Sequence, residues 1–162
     1  MNNYEIIENF LEPIPFSDIK NTINGDTFFW FYNDYVNWRP SNHFQFKNQI
    51  IKDSNLVNHY FVNYLKMCEP FLNKIPLKKI HSLSFHLLPN KSNKIEYKVT
   101  RYKQNSKVAI LFANNSDGGI NIDKQFIKCS KNKLIKFDTS YNLEFVFPIK
   151  EKITTFVLLN YN

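Results

Sequence analysis

From Lys79 onward, apolar and polar residues alternate with a period of two, in short segments separated by turn residues. Side chains on a strand point to opposite faces in turn, so this pattern suits half-buried strands and cannot hold a helix in place. Strands are expected at Lys79–Leu88, Lys94–Tyr102, Val108–Ala113, Gly119–Ile122, Gln125–Cys129, Lys133–Phe137, Leu143–Phe147 and Ile153–Asn160. The run Asn-Asn-Ser-Asp-Gly-Gly at 114–119 reads as a turn, since glycine tolerates positive φ. Many short, closely spaced strands point to an antiparallel sandwich or jelly roll.

The first half reads differently. Ser17 can cap a short helix through Ile23 that ends near Gly25. The segment TFFWFYNDYVNW is too aromatic to lie in solvent, and RPSN after it reads as a turn before HFQFKNQII. Asp53 or Ser54 then caps an expected helix running to Leu72. Its apolar stripe is Leu56, Val57, Tyr60, Phe61, Tyr64, Leu65 and Cys68, with Pro70 as a kink or end. No linker or repeat divides the chain, so residues 1–162 are expected to form a single domain. The fold class is α+β, mainly β, with N-terminal helices packed on one sheet.

The net charge of +7 comes from lysine, concentrated in Lys91 to Lys107 and Lys124 to Lys136. Alternation along KQFIKCSKNKLIKF puts Phe126, Cys129 and Leu134 inward and turns Lys128, Lys131 and Lys133 outward as a candidate interaction surface. Such a face suits an acidic protein partner, neighbouring copies of the chain or a nucleic-acid backbone, although no nucleic-acid motif accompanies it. A codon bias toward AT-rich genomes, visible in the heavy use of Asn, Lys and Ile, would produce a solvated lysine face as well. Cys68 and Cys129 follow no metal or redox spacing and read as reduced thiols. The start MNNYEIIENF lacks a signal peptide's pattern, and no apolar run is long enough to span a membrane.

Several motifs recur in order: FFWFYND and HFQF, then LKKIHSLSFHLLPN, VAILF, the Gly turn, a strand ending in Phe137-Asp138, and a last strand ending in Asn160-Tyr161. In this layout the chain resembles the small phage- and virus-associated members of the 2-oxoglutarate/Fe(II) dioxygenase superfamily, whose fold is a double-stranded β-helix (jelly roll). The resemblance implies an iron site of two histidines and one carboxylate, with an arginine for the co-substrate. Counting along the matched segments puts the His-X-Asp pair at Val99 and Arg101, or at Thr100 and Tyr102 one residue on. The distal histidine falls at Leu143 and the arginine at Thr154. None of these is an imidazole, a carboxylate or an arginine in its family place.

All the histidines lie upstream of that region. His59 reads as a helix residue beside the apolar stripe. His81 and His86 lie on opposite faces of one strand, and His86 can face the barrel interior as a hydrogen-bonded core residue. The expectation is therefore a pseudoenzyme with neither metal nor cofactor. Its role would be structural or binding, with a protein partner, as a virion or assembly component found in the virion or in the cytoplasm of an infected cell. The alternative is a hydroxylase of this class with a relocated metal.

Overall fold

The computed structural model of the protein describes residues 4–36, 39–91, 96–99 and 105–162, the side chains of 34–43 and 96–99 excepted. Two antiparallel sheets face each other. The larger takes the order β1 (Glu5–Ile7), β10 (Leu134–Asp138), β7 (Lys107–Phe112), β12 (Ile153–Tyr161), β5 (Ile80–Pro89), β3 (Arg39–Lys52) and β2 (Phe31–Val36), with β4 (Asn55–Leu56) pairing on β3. The smaller takes the order β6 (Glu96–Val99), β11 (Leu143–Val146), β8 (Gly119–Ile122) and β9 (Gln125–Lys128). This is the jelly roll expected from the period-two pattern, and the expected strands of the second half all appear with ends shifted by a residue or two where they are described.

The central strands of the large sheet are buried on both faces, which explains their almost unbroken apolar runs. On β12, Val157 and Leu159 face one core while Phe156 and Leu158 face the other. On β7, Ala109 and Leu111 join the first core, and Val108, Ile110 and Phe112 join the second. The first core lies under α1 (Pro13–Ile23), α2 (Val62–Met67) and α3 (Glu69–Asn73), through Ile19, Ile23, Cys68 and Phe71. The second fills the space between the sheets. The helices thus lie on one sheet, on the face away from the jelly-roll interior.

The first half departs from its sequence reading. Asp53 and Ser54 do not cap a helix; both adopt positive φ, 51° and 66°, and form a two-residue hairpin turn between β3 and β4. The long helix is replaced by β4, a 3-10 turn at His59–Phe61, and the short α2 and α3. Of the expected stripe only Phe61 and Cys68 are buried, while Leu56, Val57 and Tyr60 are exposed. RPSN is not a turn either, because residues 39–42 open strand β3. Aromatic and β-branched residues favoured strand pairing here over the helical spacing. Helix α1 starts at Pro13, earlier than Ser17, because proline fits a first helical turn that has no use for its missing N–H.

Gly118 and Gly119 serve a purpose other than positive φ, which neither adopts. A Cβ on Gly118 would lie 2.5 Å from Thr154 Oγ1 and 2.7 Å from Val146 O. One on Gly119 would collide with the carbonyl of Ile127. Both are glycine because other chain segments pass too close for a side chain. The positive-φ hairpin turn of the small sheet falls instead on Asp123 and Lys124.

Candidate functional site

In the jelly-roll interior, alternation along β5 turns Ser84, His86 and Leu88 toward the small sheet. The His86 ring stacks on Phe156 of β12 at 5.0 Å between centroids and 3° between planes, with Phe145 of β11 at 5.5 Å. Its Nδ1 meets Gln45 Oε1 at 3.1 Å and its Nε2 meets Ser84 Oγ at 2.9 Å. Gln45 Oε1 can only accept, so Nδ1 carries the proton and Nε2 accepts from the Ser84 hydroxyl. Burial, and then the charge of Lys47 across the strand pair, hold His86 well below the usual histidine pKa. It is a neutral, fully bonded core residue, as the sequence suggested. His81 lies on the other face of β5, buried, with Nε2 unbonded.

Of the positions where the resemblance puts iron ligands, Val99 and Leu143 lie among the described residues, and both are aliphatic. Leu143 opens β11 and is 0% exposed, packed in the interior core with Ile122 and Phe145. Val99 of β6 is its direct register partner. Thr154, where the co-substrate arginine would stand, is also 0% exposed. Its hydroxyl donates to Ser116 Oγ at 2.7 Å, and Ser116 Oγ in turn accepts from the Gly118 N–H at 3.1 Å. A guanidinium at 154 would have to displace both Gly118 and Ser116. Arg101, Thr100 and Tyr102 lie outside the described residues, as does the side chain of His43. Among the described residues, no group of three His, Cys, Asp or Glu side chains converges in metal-ligand geometry. Leu143 and Thr154 do not fit Fe(II) or 2-oxoglutarate, since an apolar group and an already bonded hydroxyl cannot replace a hydration shell.

Other candidates sort as follows. Cys68 and Cys129 are buried free thiols, one in each core, and burial pushes both up to about 12, so neither is a nucleophile near neutral pH. His59 is exposed on the 3-10 turn with its ring tilted against that of Tyr60, rather than lying beside a helical stripe. Asp117 accepts from the N–H groups of Ile149, Lys150 and Glu151 at 2.9–3.1 Å, clamping the loop before β12. What desolvation it suffers would raise its pKa, but those donors outweigh it and hold the carboxyl below its usual value.

The lysine face is only partly as expected. Lys128 and Lys131 are exposed. Lys133 is not free: it pairs with Glu8 at 3.1 Å, with its side chain 13% exposed. Lys136 pairs with Glu5 at 2.7 Å in the same way, so acidic residues near β1 neutralise part of the strip. Phe126 points outward, 45% exposed, and Ile127 takes the core place assigned to it. The error came from reading Cys129 and Phe126 on one face although they are three positions apart, an odd offset that turns them to opposite faces.

Sequence reasoning also passed over the polar face of β3. Gln45, Lys47 and Gln49 alternate with Phe44, Phe46 and Asn48, a period of two that would have marked HFQFKNQII as a strand. Lys47 lies opposite His86. It is largely withdrawn from solvent, and burial pushes its pKa down to about 8, with the charge of Lys52 adding to the effect.

No family model and no curated protein matches the sequence. Solved structures do. A 2OG-Fe(II) oxygenase-family oxidoreductase from Burkholderia pseudomallei aligns with TM-score 0.67 and 10% identity, covering 98% of this chain and 85% of that one. A prolyl-4-hydroxylase from Pseudomonas putida aligns with TM-score 0.62 and 12% identity, over 99% and 92%. A prolyl hydroxylase from Trichoplax adhaerens, in complex with a hypoxia inducible factor degradation-domain peptide fragment, aligns with TM-score 0.59 and 12% identity, over 99% and 84%. The chain has the double-stranded β-helix fold of these oxygenases. At such identities the likeness covers the fold and leaves the chemistry to the residues themselves.

Proposed function

We propose that this protein is a non-catalytic member of the 2-oxoglutarate/Fe(II) oxygenase fold class, with a structural or binding role toward a protein partner. The observation that carries this reading is the filling of the family site. Leu143 occupies the distal-ligand position with no exposure, and Thr154 occupies the arginine position with its hydroxyl committed to Ser116. Leu143 leaves a divalent ion nothing to exchange for its bound water at that position. The jelly roll stands without the metal, because its interior core is continuous from Leu88 through Phe145 and Phe156. Its surface can therefore be used for contacts. A phage or viral assembly subunit is one form such a role would take.

The test has two arms. Purified protein given Fe(II) and a reductant is expected to leave 2-oxoglutarate unconsumed, and native protein is expected to co-purify with a protein partner in a fixed ratio. Consumption of 2-oxoglutarate that stops when a chelator is added would instead support the hydroxylase with a relocated metal.

A further inference from the structure

Along the outer edge of β3, β2 and β4 leave a gap. β2 pairs with β3 as far as Phe31 opposite Lys47, and β4 resumes at Ile51 opposite Leu56. A half-open groove of about 410 Å³ occupies the gap, walled by Phe31, Tyr32, Val57 and Phe61, with Lys47 and Gln49 from β3. Phe31, Tyr32 and Val57 are 54%, 61% and 49% exposed, an unusual degree for neighbouring large apolar side chains. The volume falls in the range of roughly 300–1,000 Å³ typical of small-molecule sites.

Lys47 brings the chemistry. It makes no ion pair or hydrogen bond with the described residues. Among the described residues, the charges acting on it are repulsive or absent: Lys52 lies further along its own strand, and neutral His86 lies opposite on β5. From β2 it meets Phe31, and the loop after β4 adds Val57 and Asn58 to the groove. A cation withdrawn from water without a counter-ion is costly, and an anion placed in the groove would remove that cost. Gln49 cannot offer its amide nitrogen, which donates to the carbonyls of Ile51 and Leu83. Recognition would therefore rest on one positive charge and apolar walls, with Asn33 and Asn58 as the other polar side chains of the lining.

We infer that this groove binds a small monocarboxylic acid with an aromatic or aliphatic body, its carboxylate on Lys47 and its body against Phe31, Tyr32, Val57 and Phe61. The site is separate from Leu143 and Thr154 and does not depend on whether the family reaction has been lost. Because the ammonium is easily deprotonated where it sits, an anion that needs it charged should bind more weakly as the pH rises past about 8.

The probe is 3-phenylpropionate, titrated calorimetrically into the full chain, with 3-phenylpropionamide as its uncharged counterpart. The expected result is saturable one-to-one binding of the acid, with a dissociation constant of about 1 mM or tighter. The amide should bind roughly tenfold more weakly or worse, as should the acid to Lys47→Met, since both remove the charge-assisted contact. Val57→Trp, at an exposed position that leaves the core intact, should fill the groove and abolish binding, and it decides the matter if Lys47→Met fails to fold. Equal binding of acid and amide, an unaffected Lys47→Met or Val57→Trp variant, or no saturable binding of the acid would overturn the inference.

Discussion

Leu143 and Val99 stand directly opposite one another across the β11–β6 pair, with Ile122 of β8 on the other side of Leu143. Two positions that the resemblance assigns to metal ligands are thus neighbours in space, as a shared site requires, yet both are aliphatic.

Replacing Leu143 by histidine should not restore metal binding, because the partner position Val99 supplies no donor. It buries a polar ring among Ile122, Phe145 and Phe156, with nothing to bond it. A loss of roughly 1–3 kcal/mol is expected. Urea denaturation of Leu143→His checks this, and an unchanged midpoint would mean that the site has room and water.

Gly118→Ala should be costly although only a methyl is added. The methyl would press on Thr154 Oγ1 and the Val146 carbonyl, and neither is the free end of a flexible side chain. A loss of about 1–3 kcal/mol is expected from such overpacking. Gly118→Ala combined with Thr154→Ser should regain nothing, since the hydroxyl remains; with Thr154→Ala, part of the loss should return.

Stability should fall on the acid side through His86. Its folded pKa is depressed by burial and then by Lys47, so the unfolded chain takes up the proton first. Its contribution is intact above the ordinary histidine value of about 6.5 and is lost progressively below it, by up to about 1.4 kcal/mol per pH unit. Thermal melts between pH 7.5 and 5 should show this slope, and His86→Gln should flatten it. An equal slope in the variant would move the effect to another group.

The lysines of the β9–β10 region should separate by role. Lys128→Glu and Lys131→Glu alter exposed charges and should leave the melting temperature nearly unchanged. Lys133→Glu sets a carboxylate beside Glu8 at a largely covered position and should destabilise by about 1 kcal/mol. Salt-sensitive binding to a partner, if it uses this face, should therefore be tested with Lys128→Glu and Lys131→Glu alone.

The sheets were legible in the sequence because strands such as Val108–Phe112 and Ile153–Tyr161 are short, largely apolar runs bounded by clear turn residues. The first half was not, since Leu56, Val57, Tyr60 and Phe61 happen to fall at helical spacing although only Phe61 among them is buried. Spacing alone cannot tell an apolar stripe facing a core from an exposed one. Asp53 and Ser54 look like caps because the short polar side chains that cap helices are also common in tight turns. The resemblance puts its site positions at Leu143 and Thr154, but the packing around Thr154 depends on Ser116 and Gly118, which only the fold brings against it. The polar set around His86 draws Gln45 from a strand far upstream, so no local pattern in β5 announces it.

The most direct measurement is calorimetric titration of the purified protein with Mn(II), or anaerobically with Fe(II), in the presence of 2-oxoglutarate. With Leu143 and Thr154 where ligand and clamp would stand, no stoichiometric heat of binding is expected for either component. Micromolar one-to-one binding, lost in a variant of any single histidine, would contradict the non-catalytic reading and identify the residue that holds the metal.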